Sequence, residues 1–229
     1  MTDPKIFCAI DNSDQLQIQN LCESISSLPM GIKLGLEFFN FHGPKGVLEI
    51  SKQFPQIPIF LDLKYYDIPN TVSGAIKSVT TEVRPAYINV HASGGKIMMD
   101  AAKKACPNDV KIIAVTILTS FDEDGITQAG YKPNVAERVI EMAALSKDSS
   151  MDGVVCSSHE IKVLREQCGE DFVLMVPGIR PAGSDHGDQK RVMTPKEALD
   201  LGATHLVIGR PISQADDPRK AAQEILNTL

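Results

Sequence analysis

Short apolar segments recur along this chain, and each is followed by a longer stretch in which apolar residues have helical spacing. This alternation constrains the fold more than any other feature. Each segment is a nearly continuous apolar run, which is typical of strands that are buried on both faces. The eight predicted strands are Ile6–Ile10, Gly31–Leu34, Ile57–Leu63, Tyr87–Val90, Lys111–Val115, Gly153–Cys156, Val173–Val176 and His205–Ile208.

The stretches between these strands carry apolar residues three and four positions apart, as in amphipathic helices. Ser13, Asn134 and Thr194 are predicted N-caps, and Pro195 suits a first helical turn. The predicted helices are Asp14–Ser26, Pro44–Gln53, Thr71–Val83, Lys96–Cys106, Val135–Ser146, Ser158–Gln167, Pro195–Leu201 and Arg219–Leu226.

Eight strand–helix units in 229 residues predict a parallel sheet closed into a (β/α)8 TIM barrel. An open doubly wound sheet is the alternative, but no G-x-G-x-x-G follows the first strand. No linker or repeat interrupts the pattern, so we predict a single domain over residues 1–229. The irregular segment Pro177–Thr194 is predicted to be an active-site lid or a tolerated insertion.

The net charge of −6 and a pI near 5.4 argue against general binding to nucleic acid or to an anionic membrane. No apolar run approaches the roughly 20 residues of a membrane span. The cysteines are odd in number and form no C-x-x-C, which predicts neither a disulfide framework nor a zinc site, and a reducing cytoplasm. They are Cys8, Cys22, Cys106, Cys156 and Cys168.

The third predicted strand ends in a charged cluster. Asp62 and Lys64 are two positions apart, so in a regular strand both side chains point to the same face. Asp67 follows, just before Pro69 marks the start of a helix. Two acids around one lysine at a strand end indicate chemistry, although a structural ion pair under a loop is the open alternative.

Polar side chains also stand at the ends of the other predicted strands. In a parallel barrel the active site lies at the carboxyl ends of the strands, so these residues outline a polar pocket. They include Asp11, Lys33, Asp62, Lys64, Asp67, His91, Thr119, Arg180 and Arg210.

Strands seven and eight are followed by two similar segments, Pro177-Gly178-Ile179-Arg180 and Ile208-Gly209-Arg210-Pro211. Glycine backbone and arginine at these two strand ends are suited to a phosphate dianion. The alternative is that Gly209 only turns the chain and that Arg210 is solvated.

Lys33 and Lys64 are unusual because lysines within apolar strands are almost never buried unless they are paired. Asp11, Asp62 and Asp67 are predicted partners, and their charges favour a protonated Lys64. A protonated lysine is a proton donor rather than a Schiff-base nucleophile. Interleaved lysines also oppose metal binding. His91 is the residual metal candidate, although a hydrogen-bonded pocket or core histidine is the preferred interpretation.

Together these motifs resemble orotidine 5′-phosphate decarboxylase, most closely the bacterial single-function form, over essentially the whole chain. The D-x-K-x-x-D-I-P-x-T string from Asp62 to Thr71 is the most specific match. The other matching segments are Asp11, Lys33 with Gly35-Leu36-Glu37, His91-Ala92-Ser93-Gly94-Gly95, Thr116-Ile117-Leu118-Thr119-Ser120, Pro177-Gly178-Ile179-Arg180, Gly187-Asp188-Gln189 and Val207-Ile208-Gly209-Arg210-Pro211.

The resemblance implies decarboxylation of orotidine 5′-monophosphate to UMP without a metal or organic cofactor. It implies that Lys64 protonates C6 and stabilises the carbanion, and that Asp62 lies against the substrate carboxylate. It also implies that Asp11, Lys33 and Asp67 position the ribose hydroxyl groups and hold the charge network of the catalytic site. The remaining implied roles are base binding by Thr119 and Gln189, phosphate binding by Arg180, Gly209, Arg210 and Gln189, and closure of the Pro181–Asp188 loop.

The resemblance further implies a homodimer, in which Asp67 and Thr71 reach the pocket of the other subunit. A Mg²⁺-dependent sugar-phosphate decarboxylase or aldolase of the same barrel superfamily is the alternative function. Those relatives carry a metal-binding acid on strand two, where this chain has Lys33. A barrel that only binds a phospho-ligand is a further alternative, but it does not explain the complete Asp and Lys set.

Overall fold

Eight parallel strands close into a barrel in the computed structural model, which describes residues 3–181 and 193–229. Strand β1 pairs with both β2 and β8, so the sheet has no free edge. The predicted TIM barrel is therefore confirmed. The strands are β1 Ile6–Ile10, β2 Gly31–Leu34, β3 Ile59–Tyr65, β4 Tyr87–His91, β5 Lys111–Val115, β6 Gly153–Val155, β7 Val173–Pro177 and β8 His205–Ile208.

Helices follow the strands and surround the barrel. They are α1 Gln15–Ile25, α2 Leu36–Gln53, α3 Pro69–Glu82, the 3₁₀ turn η1 Ala92–Gly94, α4 Gly95–Ala105, α5 Glu123–Gln128, α6 Val135–Asp148, α7 Ile161–Cys168, α8 Pro195–Asp200, α9 Arg210–Ser213 and α10 Pro218–Leu226. None of the helices in the described part of the chain is both long enough and apolar enough to cross a membrane.

Two of the differences between the predicted and the observed helices have a clear structural cause. Helix α2 begins at Leu36 rather than Pro44, because two helical pieces meet at Gly43, whose φ of 63° breaks the helical conformation just before Pro44. The N-cap of α1 is Asp14 rather than Ser13, since the Asp14 carboxylate accepts hydrogen bonds from the backbone N–H groups of Leu16 and Gln17. The predicted N-caps Asn134 and Thr194 are confirmed.

The strands bury both faces, which explains their continuous apolar sequences. On β1, Ile6 and Cys8 face the layer of helices, whereas Phe7 packs in the barrel interior with Phe60 and Tyr87. The ring of Phe7 meets the rings of Phe60 and Tyr87 edge to face, at centroid distances of 6.1 and 5.6 Å. These aromatic side chains close the amino-terminal half of the barrel, so the polar side chains of the interior collect towards the carboxyl ends.

Candidate active site

Lys33 lies on β2 between two acids of the neighbouring strands. Its Nζ is 3.3 Å from Asp11 Oδ1 and 3.3 Å from Asp62 Oδ2. Only 8% of Lys33 and 8% of Asp62 is exposed, so this lysine is buried and paired, as we predicted from its apolar surroundings. Gly35 leaves room for the pair, because a Cβ there would lie 3.2 Å from both Asp11 Oδ1 and Lys33 Nζ.

Lys64 completes a row of alternating charges. Its Nζ donates to Asp62 Oδ1 at 2.7 Å, and 31% of its side chain is exposed. Asp11, Lys33, Asp62 and Lys64 therefore alternate in sign across the ends of β1, β2 and β3. The ammonium group of Lys64 therefore lies at the mouth of the barrel, where it is hydrogen-bonded to the Asp62 carboxylate and still partly open to solvent.

The backbone at Lys64 is not that of a regular strand. Leu61 pairs with Ile88 and Tyr65 with Val90, so β3 uses four positions where β4 uses two. Lys64 itself has a φ of 51°, a left-handed conformation that residues other than glycine rarely adopt. The simple alternation that predicted Asp62 and Lys64 on one face is therefore broken here, and the bulge shapes the backbone from which the two side chains meet.

The carboxyl group of Asp62 is held in its ionised form. Burial raises its pKa, but the charges of Lys33 and Lys64, with hydrogen bonds from Lys64 and Asn89, outweigh burial and hold the pKa below its ordinary value. Asn89 was missed in the sequence. The available signal was an amide in the middle of the otherwise apolar strand β4.

His91 ends β4 beside this cluster. Burial, followed by the charge of Lys64, lowers the pKa of its imidazole, and the backbone N–H of Ser93 donates to Nδ1 at 3.3 Å. Nδ1 is thus the acceptor of a neutral ring, with the proton on Nε2. No group of three or more His, Cys, Asp or Glu side chains that could hold a metal ion is found in residues 3–181 and 193–229, so His91 belongs to no such group there.

Asp67 and Thr71 lie outside the row of charges. Asp67 is exposed, and its Oδ1 accepts from the backbone N–H of Ile68 at 2.6 Å. Within the described residues of this single chain, Asp67 forms no ion pair with Lys33 or Lys64. Thr71 is exposed in the first turn of α3. The fold thus places both residues in an exposed segment that follows β3 and begins α3.

The two glycine and arginine segments lie at the ends of the paired strands β7 and β8, where Pro177 is opposite Val207. Gly178 has a φ of 81°, which favours glycine at this turn. Arg180 is buried and its Nη1 donates to the carbonyl of Ile179 at 3.0 Å, whereas Arg210 is exposed at the start of α9.

The remaining predicted site residues divide into described and undescribed positions. Thr119 is exposed in the segment that follows β5, at the same end of the barrel. Gln189 lies outside the described residues, as does the Pro181–Asp188 loop apart from Pro181 itself. The described geometry therefore combines an alternating acid–lysine row on three strands, buried at Lys33 and Asp62, with glycine and arginine on two others.

Comparisons of this chain with a family model, with known proteins and with a solved structure all indicate the same family. A model of the orotidine 5′-phosphate decarboxylase / HUMPS family matches residues 4–225. The chain is 47% identical to an orotidine 5′-phosphate decarboxylase of Rhodospirillum rubrum, covering all of this chain and 95% of that protein. It is 45% identical to the protein of the same name from Erythrobacter litoralis, with both covered completely. A crystal structure of orotidine 5′-phosphate decarboxylase from Lactobacillus acidophilus superposes with a TM-score of 0.86 at 34% identity, covering 98% of each chain.

Proposed function

Since the chain belongs to the orotidine 5′-phosphate decarboxylase / HUMPS family, we propose that it decarboxylates orotidine 5′-monophosphate to UMP, in pyrimidine biosynthesis. The resemblance inferred from the sequence motifs is confirmed at the level of the family, whose members named above are carboxy-lyases. The observation that carries the proposal is the alternating row of Asp11, Lys33, Asp62 and Lys64, with a lysine on β2.

Lys64 is the proposed general acid. When the C6–carboxylate bond breaks, its electron pair stays on C6 as carbon dioxide leaves, and the Lys64 ammonium transfers a proton to that carbon. The same positive charge lies next to the carbanion as it develops, which lowers the energy of the transition state. The 2.7 Å contact with Asp62 supports this role because it holds Lys64 Nζ beside the acid that is proposed to face the substrate carboxylate.

Asp62 is proposed to face the substrate carboxylate. Its lowered pKa keeps it ionised at neutral pH, so two negative charges would lie close together in the bound substrate. Departure of neutral carbon dioxide removes that repulsion, and the reaction therefore proceeds from a less favourable ground state. Lys33 would prevent Asp62 from relaxing away, since it holds the other carboxylate oxygen at 3.3 Å.

Recognition of the nucleotide is assigned to the surrounding strand ends. Asp11 and Lys33 would bind the ribose hydroxyl groups. Thr119 and Gln189 would bind the pyrimidine. The phosphate would be bound by Arg180, Gly209 and Arg210, and Gln189 would bridge it to the base. Closure of the Pro181–Asp188 loop over the phosphate would use binding energy from a remote group to assemble a dry reaction centre. No metal or organic cofactor takes part in this proposal.

A homodimer is part of the proposal, with Asp67 and Thr71 serving the partner's pocket and Asp67 helping to position its ribose. Two observations support it. Asp67 and Thr71 are exposed rather than paired with their own lysines. In addition, Tyr66 and Ile68, which flank Asp67, are 64% and 66% exposed, as expected for an apolar surface that a second subunit covers. We also propose one domain over residues 1–229 and a cytoplasmic location.

The test is a decarboxylase assay on protein treated with a metal chelator, following the loss of ultraviolet absorbance of orotidine 5′-monophosphate. We expect turnover to be unchanged, because the proposed proton donor and charge stabiliser are both Lys64. Loss of turnover that Mg²⁺ restores would move the assignment to the metal-dependent sugar-phosphate alternative. Binding of UMP without any turnover would instead indicate a barrel that only binds a phospho-ligand.

A further inference from the structure

Asn89 occupies the centre of the barrel interior, between the closed end and the reaction centre. It lies on β4 between Tyr87, which packs against Phe7 and Phe60, and His91 at the mouth. Its side chain points inward, as the side chains of Tyr87 and His91 do, because positions two apart on a strand share a face. Asn89 is 0% exposed, and a fully buried amide needs hydrogen-bond partners.

Both halves of the Asn89 amide contact the two central residues of the proposed mechanism. Nδ2 donates to Asp62 Oδ1 at 2.7 Å, and Oδ1 accepts from the backbone N–H of Lys64 at 2.7 Å. A carboxylate can only accept and a backbone N–H can only donate, so chemistry fixes the orientation of this amide. Asp62 Oδ1 in turn accepts from Lys64 Nζ, which closes a ring of three residues.

The hydrogen bond between Asn89 and the Lys64 backbone lies where the regular pairing of β3 and β4 is interrupted. The register between β3 and β4 shifts between Leu61 and Tyr65, so the Lys64 N–H lies within the irregular part of the ladder. The Asn89 side chain provides its acceptor. A non-glycine residue keeps a left-handed conformation only when its surroundings hold it there, and the φ of 51° at Lys64 meets this description.

We propose that Asn89 is a positioning residue for the decarboxylation, which holds the Lys64 backbone in its left-handed conformation and orients the Asp62 carboxylate, without touching the substrate. The inference rests on the proposed function. It assigns to Asn89 an effect on the chemical step rather than on substrate affinity, since the groups proposed to bind phosphate and base lie on other strands.

The test compares Asn89→Ser and Asn89→Asp with wild type, using kcat, KM and the dissociation constant of UMP. The serine is too short to satisfy both partners, and the aspartate keeps an acceptor for Lys64 but places a carboxylate against Asp62. We expect kcat to fall by about 100- to 1,000-fold in both, since misplacement of reacting groups by about 1 Å can have an effect of this size. KM and UMP affinity should stay within about threefold, because the proposed phosphate contacts are untouched.

Tyr87→Phe is the matched control, because Tyr87 lies on the same face of the same strand, is 1% exposed and also donates a buried hydrogen bond. The Tyr87→Phe variant should be less stable than wild type, and its kcat should equal that of wild type. Folded Asn89 variants with a kcat within threefold of wild type, or with a loss confined to KM, would overturn the proposal. So would failure of both Asn89 variants to fold while Tyr87→Phe folds, which would assign Asn89 to the core. If wild type does not consume orotidine 5′-monophosphate, the proposed function itself fails, and the inference falls with it.

Discussion

Charged residues collect at both ends of this barrel, around one shared acid at each end. At the carboxyl ends of the strands, Lys33 and Lys64 share Asp62. At the amino ends, Lys111 Nζ lies 3.0 Å from Asp3 Oδ2, and the hydroxyl group of Tyr87 is 3.0 Å from the same oxygen. His205 lies beside them, with Nε2 2.7 Å from the Tyr87 hydroxyl and Nδ1 2.6 Å from the carbonyl of Pro4.

The two shared acids have the same electrostatic behaviour. Burial raises the pKa of Asp3, but hydrogen bonds and charges from Lys111, His205 and Tyr87 outweigh it, and the pKa falls below its ordinary value. Asp62 shows the same balance with a different set of partners. A shifted carboxyl pKa therefore does not distinguish a reaction centre from a structural ion pair in this molecule.

Backbone geometry and surroundings do distinguish the two ends. Lys64 has a left-handed conformation beside a shift in strand register, whereas Tyr87, Lys111 and His205 lie at regularly paired positions of their strands. The Lys111 ammonium also lies 5.2 Å from the centre of the Tyr87 ring, over its face, as in a cation–π contact. The strained backbone of Lys64, together with its ammonium group at the open mouth of the barrel, distinguishes the carboxyl end, where we propose that the chemistry takes place.

The largest expected difference between the two ends is the effect of removing a lysine. Lys64→Ala should lower kcat by at least about 10⁴-fold, because it removes both the proton donor and the charge that stabilises the carbanion. Circular dichroism should show a folded barrel. The absorbance assay with orotidine 5′-monophosphate measures the loss.

Lys111→Ala provides the comparison, since it also removes a lysine paired with an aspartate. Its kcat should match wild type, and its free energy of unfolding should fall by less than about 1 kcal/mol, as is usual for partly exposed ion pairs. Comparable kcat values for the two variants would contradict the division of the barrel into a reactive end and a structural end.

A smaller difference is expected for arginines at the carboxyl ends and at the periphery. Arg210→Ala should raise KM about 10- to 150-fold, the equivalent of one charge-assisted contact of about 1.5–3 kcal/mol. Arg219 on α10 is the control, because it is exposed and donates to the Ser24 carbonyl and the Ser27 hydroxyl. Steady-state kinetics of Arg219→Ala should give the wild-type KM. Equal KM values in all three proteins would mean that the phosphate binds elsewhere.

The smallest expected difference concerns stability and pH. Burial lowers the pKa of His205 below its ordinary 6.5, more than the Pro4 carbonyl and Asp3 raise it. The folded state thus binds a proton less readily than the unfolded state. The resulting stability is fully present above pH 6.5 and is lost as pH falls through the pKa of the folded state.

Urea unfolding between pH 7.5 and 5.5 measures this loss, in a window where most carboxyl groups do not titrate. The pKa of His91 is lowered in the same direction, so both ends contribute. We expect His205→Gln to flatten the pH dependence more than His91→Gln, because His205 is 1% exposed whereas His91 is only partly buried. A larger flattening in His91→Gln than in His205→Gln would show that His91 dominates the pH dependence of stability.

The sequence predicted the barrel well because a strand buried on both faces leaves a continuous apolar run. The third strand shows where this signal ends. The prediction placed it at Ile57–Leu63, but the strand runs from Ile59 to Tyr65, since the charged Lys64 ends the apolar run before the strand itself ends. Helices α5 and α9, of six and four residues, were missed because they are too short to show helical periodicity.

The charged residues of the site could be predicted because an ionised side chain inside an apolar run is conspicuous. Lys33, Asp62 and Lys64 were identified in this way, and the structure brings them together with Asp11. Asn89 is visible as an amide within an apolar strand, but its contacts could not be predicted. They depend on a register shift between β3 and β4 that the sequence of neither strand indicates. The proposed contacts of Asp67 and Thr71 with a second subunit could not be predicted from spacing within one chain, because they would depend on the surface of that subunit.

Closure of the barrel between its first and last strands has a consequence for how the chain folds. The His205 imidazole reaches Pro4 across 201 positions of sequence, and the backbone N–H of Leu206 donates to the Lys5 carbonyl at 2.8 Å. During synthesis, one edge of β1 therefore remains unpaired until almost the entire chain has emerged from the ribosome. Contacts of such long range form slowly, and an open apolar edge can pair with another chain meanwhile. Folding of this protein should thus be most vulnerable to aggregation just before its last strand becomes available.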